Sequence, residues 1–258
     1  MRIQLLPSSF DVAGRASPAQ RLTCFIIDDR VTVDAGSIGI ALSEAQRRTV
    51  RDIIVTHPHM DHIASLPIYV DDLFGELEEP VRIYATSEVI ELLKRDVFND
   101  NVYPRFDQLS NQHGRVMEYV PFEVGREFTV AHLKVTAVPV NHIVPTVGLT
   151  VNDGKITVAF SSDTAETDAF WETLNRSKHL HALFIEASFP NSMIELATAS
   201  KHLTPRTLRS ELNKLNHNGM DILAVHVKPA YRETVANELA ALGIEKLKMM
   251  EVGRVYEW

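Results

Sequence analysis

The segment His-Pro-His-Met-Asp-His, at residues 57–62, is the sequence feature that most restricts the fold. It follows at once on residues 52–56, an apolar run typical of a buried strand, and the apolar residues from Ile63 onward indicate the start of a helix. Pro58 is incompatible with a regular helix through the segment. The sequence therefore predicts a strand-to-helix turn on which three histidines and one aspartate converge.

The side chains on this turn are of the kinds that bind transition metals. Imidazole and carboxylate together suit zinc, manganese or iron better than calcium or magnesium. A mononuclear catalytic zinc site usually takes three ligands from the protein, whereas this turn offers four, namely His57, His59, Asp61 and His62. The excess indicates two metal ions. A chance cluster on a surface loop is the alternative interpretation.

Composition and charge restrict the class of protein. The chain has 258 residues, of which 45% are apolar and 23% charged, and this composition is ordinary for a globular protein with a sizeable core. The net charge of −8 disfavours duplex DNA or another long nucleic acid as the main partner. Cys24 is the only cysteine, so we expect no disulfide framework. Without a secretory signal or an apolar run of membrane-spanning length, the expected location is the cytoplasm, with no membrane partner.

Strand and helix patterns occur in the same order in both halves of the chain. Each half begins with strands joined as hairpins, of which the clearest has Asn-Asp-Gly at residues 152–154 as its turn. Each half then alternates strands with helices, which are predicted at residues 87–97, 168–176, 204–215 and 232–242. Thr204 and Pro205 suit the N-cap and first position of the third of these helices. The order predicts an α/β protein of two mixed sheets packed together with helices outside, in one domain over residues 1–258.

Three further ligand-type residues follow apolar strands in the second half. His142 comes after the run 133–140, Asp163 after 155–161, and His226 lies at the end of 221–227. Taken singly, each histidine is more often a core or loop residue, and Asp163 could be a turn residue. Together with the first four they form a set of seven, which makes a metal site the better interpretation.

At these positions the sequence resembles the metallo-β-lactamase superfamily. The seven residues match its metal motifs in order, and Asp34, in Val-Asp-Ala-Gly-Ser, matches the first motif. The resemblance implies an αββα sandwich and two divalent metal ions per chain, Zn²⁺ before Mn²⁺ or Fe²⁺. It implies that His57, His59 and His142 hold one ion, that Asp61, His62 and His226 hold the other, and that Asp163 bridges them. Asp34 would orient the metal loop without binding metal.

Three segments of the second half resemble one particular group of enzymes within this superfamily. Leu-Phe-Ile-Glu-Ala-Ser-Phe at 183–189, Lys-His-Leu-Thr-Pro at 201–205 and His-Val-Lys-Pro at 226–229 resemble the class II 3′,5′-cyclic-nucleotide phosphodiesterases. Three positions depart from that group: Ser162 and Lys201 replace glycines, and Ala187 replaces a cysteine. The resemblance implies hydrolysis of cAMP, cGMP or both to 5′-monophosphates by hydroxide generated between two metals. Members of the group often form homodimers.

Roles for the remaining candidates follow from this resemblance. Asp61 counts as catalytic through the metal it would hold, and His202 is the candidate acid that protonates the leaving 3′-oxygen. Glu186 would orient His202 or the metal histidines, and Lys228 would contact phosphate. For each residue outside the ligand set, packing, capping or solvent exposure is the alternative role.

A polar and aromatic segment at residues 98–114 has no clear periodicity, and such long connections are often functional. Asn101 and Tyr103 within it are candidates for a nucleobase pocket, whereas core packing is the expected role of Phe106. His113, His132, His179, His181 and His217 match no motif, and we expect them to be surface or structural residues.

Three competing functions remain at this point. A tRNA 3′-processing endonuclease of the same superfamily would carry a protruding basic and glycine-rich arm, which the sequence lacks. Lactonases and sulfatases share the metal residues but not the second-half segments. A metal-binding or RNA-binding scaffold without activity is disfavoured because all seven ligand positions are intact.

Overall fold

The fold is described from a computed structural model, which covers every residue from Met1 to Trp258. The chain divides into two compact units. Unit 1 comprises Met1–Ser17, Leu22–Glu123 and Val252–Glu257, and unit 2 comprises Pro18–Arg21, Val124–Glu251 and Trp258. No helix has the length and apolar content that crossing a membrane would require. A single domain over residues 1–258 stays a prediction.

Unit 1 is built on a mixed sheet of seven strands, in the order β16-β1-β2-β3-β4-β5-β8, with a separate two-stranded hairpin, β6-β7. The pairs from β16 to β3 are antiparallel and those from β3 to β8 are parallel. The strands are β1 (Arg2–Leu5), β2 (Phe25–Ile27), β3 (Val31–Val33), β4 (Asp52–Ile54), β5 (Val81–Ala85), β6 (Ser110–Asn111), β7 (Gly114–Arg115), β8 (Met117–Pro121) and β16 (Val255–Glu257).

The helices of unit 1 are α1 (Ile38–Ala41), α2 (Glu44–Thr49), α3 (Met60–Ile63), α4 (Leu66–Leu73) and α5 (Ser87–Asp96). Helix α5 confirms the predicted helix, and its buried face carries Val89, Ile90 and Leu93 at helical spacing. The Thr86 side chain accepts a hydrogen bond from the Val89 N–H and so caps its N-terminus. A short 3₁₀ turn lies at Phe106–Gln108, where Phe106 is buried in the core as expected.

Unit 2 is built on a second mixed sheet of seven strands, in the order β15-β14-β13-β12-β11-β10-β9. Pairs from β9 to β12 are antiparallel and pairs from β12 to β15 are parallel, as the predicted order of hairpins and strand–helix alternation requires. The strands are β9 (Glu127–Val130), β10 (Leu133–Pro139), β11 (Val147–Asn152), β12 (Thr157–Phe160), β13 (Ala182–Glu186), β14 (Asp221–Val225) and β15 (Leu247–Met249). The predicted hairpin joins β11 to β12 and is confirmed.

The helices of unit 2 are α6 (Ala169–Arg176), α7 (Ile194–Ser200), α8 (Pro205–Leu212) and α9 (Arg232–Ala241), with 3₁₀ turns at Asn191–Met193 and Pro229–Tyr231. Thr204 caps α8 in a capping box, as predicted. The helix ends at Leu212, however, and the prediction that it reaches Leu215 is wrong. The chain tightens there, because the backbone N–H groups of Lys214 and Leu215 bond to carbonyls three residues earlier.

In both units, candidate residues follow the carboxyl ends of parallel strands; His142 is an exception, since it follows the antiparallel strand β10. In unit 1, Asp34 follows β3 and residues 55–62 follow β4. These two strands pair in parallel, with Val33 opposite Ile54. In unit 2, Asp163 follows β12 closely, Glu186 ends β13 and His226 follows β14, and the register puts Glu186 opposite Val225. Because the ends of neighbouring parallel strands meet at one edge of a sheet, each sheet gathers its own candidates at that edge.

Candidate metal centre

Backbone hydrogen bonds hold the His57–His62 loop of unit 1 in place. The Asp61 carbonyl accepts from the Thr23 N–H at 2.7 Å, and the His62 carbonyl accepts from the Ala35 N–H at 2.7 Å. Gly36 permits this close approach, because a Cβ at that position would overlap the Asp61 carbonyl oxygen. Helix α3 already begins at Met60, so Asp61 and His62 lie on a helical turn that the sequence led us to expect only from Ile63 onward.

Asp34 is the buried carboxylate beneath this loop. Its Oδ2 accepts from His62 Nδ1 at 2.7 Å, and its Oδ1 accepts from the Thr56 backbone N–H at 2.9 Å. The Thr56 hydroxyl lies 3.0 Å from both Asp34 oxygens and 3.1 Å from His57 Nδ1. Asp34 therefore contacts one histidine directly and a second one through a hydroxyl, which is the orienting arrangement common around metal-binding histidines.

The three histidines of the loop lie together in unit 1. The ring centroid of His57 is 4.8 Å from that of His59 and 4.0 Å from that of His62. His57 and His62 are buried, while His59 and Asp61 are partly exposed. Because the Nδ1 atoms of His57 and His62 face Thr56 and Asp34, their Nε2 atoms are the ones available to a metal.

Unit 2 brings its candidates together at the end of its own sheet. Ligand atoms of Asp163, His202 and His226 lie within 4.8 Å of one another, and His226 Nε2 is 3.4 Å from Asp163 Oδ2. The His142 ring centroid lies 5.0 Å from that of His202. His142 Nδ1 is 3.1 Å from the Lys201 carbonyl, which can only accept, so this nitrogen carries the hydrogen and leaves Nε2 available.

Glu186 is the buried carboxylate of unit 2. Its Oε1 accepts from His202 Nδ1 at 2.7 Å and from the Thr164 N–H at 2.8 Å. Its Oε2 accepts from the Ser188 hydroxyl at 2.8 Å, and from the backbone N–H groups of Ser188 and Leu203 at 3.2 Å each. The Ser188 hydroxyl is also 2.9 Å from His226 Nδ1. Glu186 therefore contacts His202 directly and His226 through a hydroxyl.

Charges around His202 favour its protonated form. Burial lowers the pKa of the ring, but the charge of Glu186 and its hydrogen bond to Nδ1 outweigh this effect, and the charge of Asp163 adds to them. The ammonium group of Lys228 opposes them. The pKa of His202 is consequently raised above the ordinary histidine value. A largely buried imidazole with a raised pKa beside Asp163 is suited to donating a proton.

Several residues at or beside the candidate positions of the two units have left-handed backbone conformations. The φ angles are +62° at Asp34, +54° at Ser162, +53° at Lys201 and +58° at His226. Left-handed conformations cost a non-glycine residue about 1–2 kcal/mol. Ser162 and Lys201 are two of the positions at which this sequence departs from the glycines of the family it resembles. The geometry gives the physical reason for glycine there.

The candidate base-pocket residues lie on the 98–114 segment of unit 1. Asn101 is exposed, and its side-chain amide bonds to the Asn99 carbonyl. Tyr103 is partly buried against the core, with its ring centroid 6.3 Å from that of Phe106. A role for either residue in binding a nucleobase stays a prediction.

No role was predicted from the sequence for two hydroxyl residues, Thr56 and Ser188. Both contact a buried carboxylate and the Nδ1 atom of a candidate ligand. One signal was available: Ser188 is two residues after Glu186, which is the spacing of side chains on one face of a strand. Thr56 directly precedes His57, and its closeness in sequence gave no hint that the two side chains would meet.

The donor set fits divalent transition metals. Within each unit, imidazole nitrogens and at least one carboxylate oxygen lie at the edge of the sheet, and the Nδ1 atoms of His57, His62, His142 and His226 each lie within hydrogen-bond distance of an oxygen. Their Nε2 atoms are thereby left as the ligating atoms, a combination typical of zinc, manganese and iron sites.

Known proteins of similar sequence include two cyclic-nucleotide phosphodiesterases and a ribonuclease. The chain is 26% identical over 241 residues to a probable 3′,5′-cyclic-nucleotide phosphodiesterase of Yersinia pestis, covering 80% of this chain and 68% of the relative. It is 24% identical over 238 residues to 3′,5′-cyclic-nucleotide phosphodiesterase 1 of Saccharomyces cerevisiae, covering 76% of this chain and 63%, less than two thirds, of that relative. It is 31% identical over 108 residues to a nuclear ribonuclease Z of Triticum aestivum, covering 41% of this chain and 57% of the relative.

Solved structures establish the fold. Unliganded yeast PDE1 matches with a TM-score of 0.77 at 17% identity, covering 98% of each chain. The metallo-beta-lactamase fold protein YhfI from Bacillus subtilis matches with a TM-score of 0.75 at 17% identity, covering 99% of each chain. The predicted α/β class of two mixed sheets flanked by helices is therefore confirmed. Because the model of the beta-lactamase superfamily domain matches residues 30–226, from before Asp34 to the last candidate ligand, the chain belongs to this superfamily.

Proposed function

We propose that this chain is a metal-dependent phosphodiesterase that hydrolyses 3′,5′-cyclic nucleotides, cAMP, cGMP or both, to 5′-monophosphates. Membership of a hydrolase superfamily and relatives named as such phosphodiesterases support the proposal. The observation that carries it is the pair formed by His202 and Glu186, whose atoms are 2.7 Å apart beside Asp163. A site that only bound metal through the seven assigned ligands would need no further histidine paired with a buried carboxylate.

The proposal includes two divalent metal ions per chain, Zn²⁺ before Mn²⁺ or Fe²⁺. Its ligands are the seven residues of the family's metal motifs, with Asp61 also counted as catalytic. Bound metal ions of this kind supply an activated water and neutralise charge on phosphate oxygens. The imidazole and carboxylate donors at the edge of each sheet support this choice of metals.

Residues of unit 2 supply the proton and part of the charge in this proposal. His202 donates a proton from Nε2 to the departing 3′-oxygen, because Glu186 holds Nδ1 and stabilises the cationic ring. Lys228 lies close enough to His202 to lower its pKa, and we assign it a contact with a phosphate oxygen. Asn101 and Tyr103 remain the proposed base-binding residues of unit 1.

A substrate panel tests the proposal. Purified protein loaded with Zn²⁺ or Mn²⁺ should hydrolyse cAMP or cGMP to the 5′-monophosphate, and should act much more slowly on 2′,3′-cyclic nucleotides and on precursor tRNA. Product chromatography distinguishes 5′- from 3′-monophosphates. A chain that cleaves precursor tRNA and leaves both 3′,5′-cyclic nucleotides intact would overturn the proposed substrate.

A tRNA 3′-processing endonuclease is the second candidate. The similarity to the wheat ribonuclease Z favours it, since that is the highest identity among the relatives described above, although it covers less than half of this chain. The net charge of −8 argues against a large nucleic-acid partner. The precursor-tRNA arm of the panel decides between the two candidates.

Location and assembly complete the proposal. We place the enzyme in the cytoplasm, as a homodimer that acts on a small, diffusible nucleotide. Sedimentation of the purified chain would give its mass directly, and a monomer at all concentrations would refute the dimer.

A further inference from the structure

The Ser188 hydroxyl lies at the meeting point of three functional groups in unit 2. Its oxygen is 2.8 Å from Glu186 Oε2, 2.9 Å from His226 Nδ1 and 3.3 Å from His202 Nδ1, and the residue has no exposed surface. A second acceptor, the His226 carbonyl, is 3.1 Å away. A buried side chain with this many polar neighbours fixes where their hydrogens lie.

The direction of each hydrogen bond follows from the number of hydrogens available. A serine hydroxyl has a single hydrogen, while a carboxylate and a backbone carbonyl can only accept. Glu186 Oε2 already accepts two backbone N–H groups, so it acts as acceptor toward Ser188 as well. The charge of the Glu186 carboxylate makes it the strongest acceptor for the single hydroxyl hydrogen, at 2.8 Å, and favours this orientation over donation to His226 Nδ1. With its hydrogen directed at Glu186, the Ser188 oxygen is left to accept from His226 Nδ1. That nitrogen must then carry the ring hydrogen.

We infer that Ser188 is a positioning residue that fixes the ring of His226 with a hydrogen on Nδ1 and with Nε2 facing Asp163. His226 Nε2 is the ring atom that lies 3.4 Å from Asp163 Oδ2. The same serine separates His226 from the carboxylate that His202 contacts directly. Glu186 thus contacts His202 directly, whereas it contacts His226 only through the Ser188 hydroxyl.

Unit 1 has the same arrangement, which supports the inference independently. There the Thr56 hydroxyl lies 3.0 Å from Asp34 and 3.1 Å from His57 Nδ1, and Asp34 contacts His62 Nδ1 directly at 2.7 Å. Two unrelated stretches of the chain therefore place a hydroxyl between a buried carboxylate and the Nδ1 of a histidine.

Removing the hydroxyl should release the ring without removing the support of the carboxylate. In Ser188→Val, Glu186 Oε2 would keep the backbone N–H groups of Ser188 and Leu203, so the carboxylate would not be left without donors. Ser188→Thr keeps the hydroxyl and has nearly the same volume as Ser188→Val. Any cost of packing a larger residue in this fully buried position is thus common to both variants.

The experiment measures the ring nitrogens of His226 in metal-free, ¹⁵N-labelled protein by long-range ¹H–¹⁵N spectra. At a pH of about 8, the wild type and Ser188→Thr should show a hydrogen on His226 Nδ1 throughout the population. Ser188→Val should show a mixture of the two tautomers. Ser161→Ala is the matched control, because Ser161 is equally buried and its hydroxyl contacts only backbone groups. The control should leave His226 unchanged.

Zn²⁺ affinity, measured by competition with a chelator, is the second readout. Loss of a residue that orients a metal-binding histidine typically weakens metal binding about 10–100-fold, so Ser188→Val should bind Zn²⁺ that much more weakly than Ser188→Thr. Equal Zn²⁺ affinity in the two variants, with His226 hydrogen on Nδ1 in both, would overturn the inference. The consequence for Zn²⁺ rests on the proposed metal site, but neither readout uses a cyclic nucleotide. A chain inactive on cyclic nucleotides would therefore refute the proposed function alone.

Discussion

Asp34 in unit 1 and Glu186 in unit 2 are both buried carboxylates at the ends of parallel strands, and both contact the Nδ1 of one histidine at 2.7 Å. The two carboxylates differ in which histidines they hold in place. Asp34 supports His57 and His62, which both belong to the predicted ligand set. Glu186 supports one predicted ligand, His226, and one histidine outside the set, His202. Under the proposed function, unit 1 would only hold metal, whereas unit 2 would combine metal binding with proton transfer.

The largest expected effect tests whether unit 2 binds metal at all. We expect Asp163→Ala to lose metal and to reduce kcat by at least about 10³-fold, because a metal supplies several kcal/mol of transition-state stabilisation. Metal analysis and kcat are measured together. Asp168→Ala, which changes an exposed aspartate of the same unit, serves as control and should keep both. If Asp163→Ala retains two metals and normal turnover, Asp163 is a turn residue.

The next effect tests the proton-donating half of the comparison. His202→Ala should keep its metals but lose about 10²-fold or more in kcat on a cyclic nucleotide, the usual contribution of a positioned acid. With a p-nitrophenyl phosphodiester the loss should be much smaller, because that leaving group needs little protonation. Equal losses on both substrates, with a lower melting temperature, would assign His202 a structural role instead.

A pair of carboxylate variants compares the units directly. Asp34→Asn should weaken metal binding about 10–100-fold, since it disturbs the support of two ligands. Glu186→Gln should weaken metal binding less and lower kcat on cyclic nucleotides more. Glu211→Gln is the control: this buried glutamate accepts from Trp171 Nε1 at 2.6 Å and pairs with Lys214, so its loss should lower the melting temperature and leave kcat unchanged. Identical behaviour of Asp34→Asn and Glu186→Gln would remove the distinction between the units.

The smallest expected effect concerns backbone strain. Both units contain non-glycine residues in left-handed conformations, and in unit 2 two of these residues, Ser162 and Lys201, stand where the family that the sequence resembles has glycine. Ser162→Gly and Lys201→Gly should each raise the free energy of unfolding by up to about 1 kcal/mol. The relief of the left-handed conformation is worth about 1–2 kcal/mol, and the greater freedom of glycine in the unfolded chain offsets part of it. Urea unfolding curves give the change. Gly148→Ala is the contrasting variant and should destabilise, because its Cβ would overlap the Phe170 ring. If both glycine variants also destabilise the protein, these positions carry no strain.

The ligand candidates of unit 1 could be predicted from the sequence more directly than those of unit 2. The ligand candidates of unit 1 sit within six consecutive residues, so their types and spacing predicted a metal loop before any fold was known. Those of unit 2 are spread from His142 to His226, and only their positions after apolar strands and their match in order to the metal motifs of the superfamily linked them. The order of hairpins and strand–helix pairs also predicted both sheets, because those patterns are local.

Contacts among distant residues lay beyond the sequence. The role of Ser188 depends on its distances to Glu186, His226 and His202, which come from three separate segments. The short helices α1, α2 and α7 were not predicted, since four to seven residues are too few for a periodic pattern to stand out. The edge strand β16 was missed for a related reason: its three residues form a strand only because β1 pairs with them from the other end of the sequence.

The pairing of β1 with β16 has a consequence for how the protein is made. Arg2 pairs with Glu257 and Gln4 with Val255, so unit 1 cannot complete its sheet until residues 255–257 have left the ribosome. Until then β1 presents an unpaired edge, the kind of surface on which nascent chains aggregate. Nearly all of unit 2, by contrast, lies in the uninterrupted stretch Val124–Glu251 and can fold earlier. During synthesis, unit 1 therefore keeps one edge of its sheet unpaired for the longest time, and chaperones that shield strand edges should matter most for this unit.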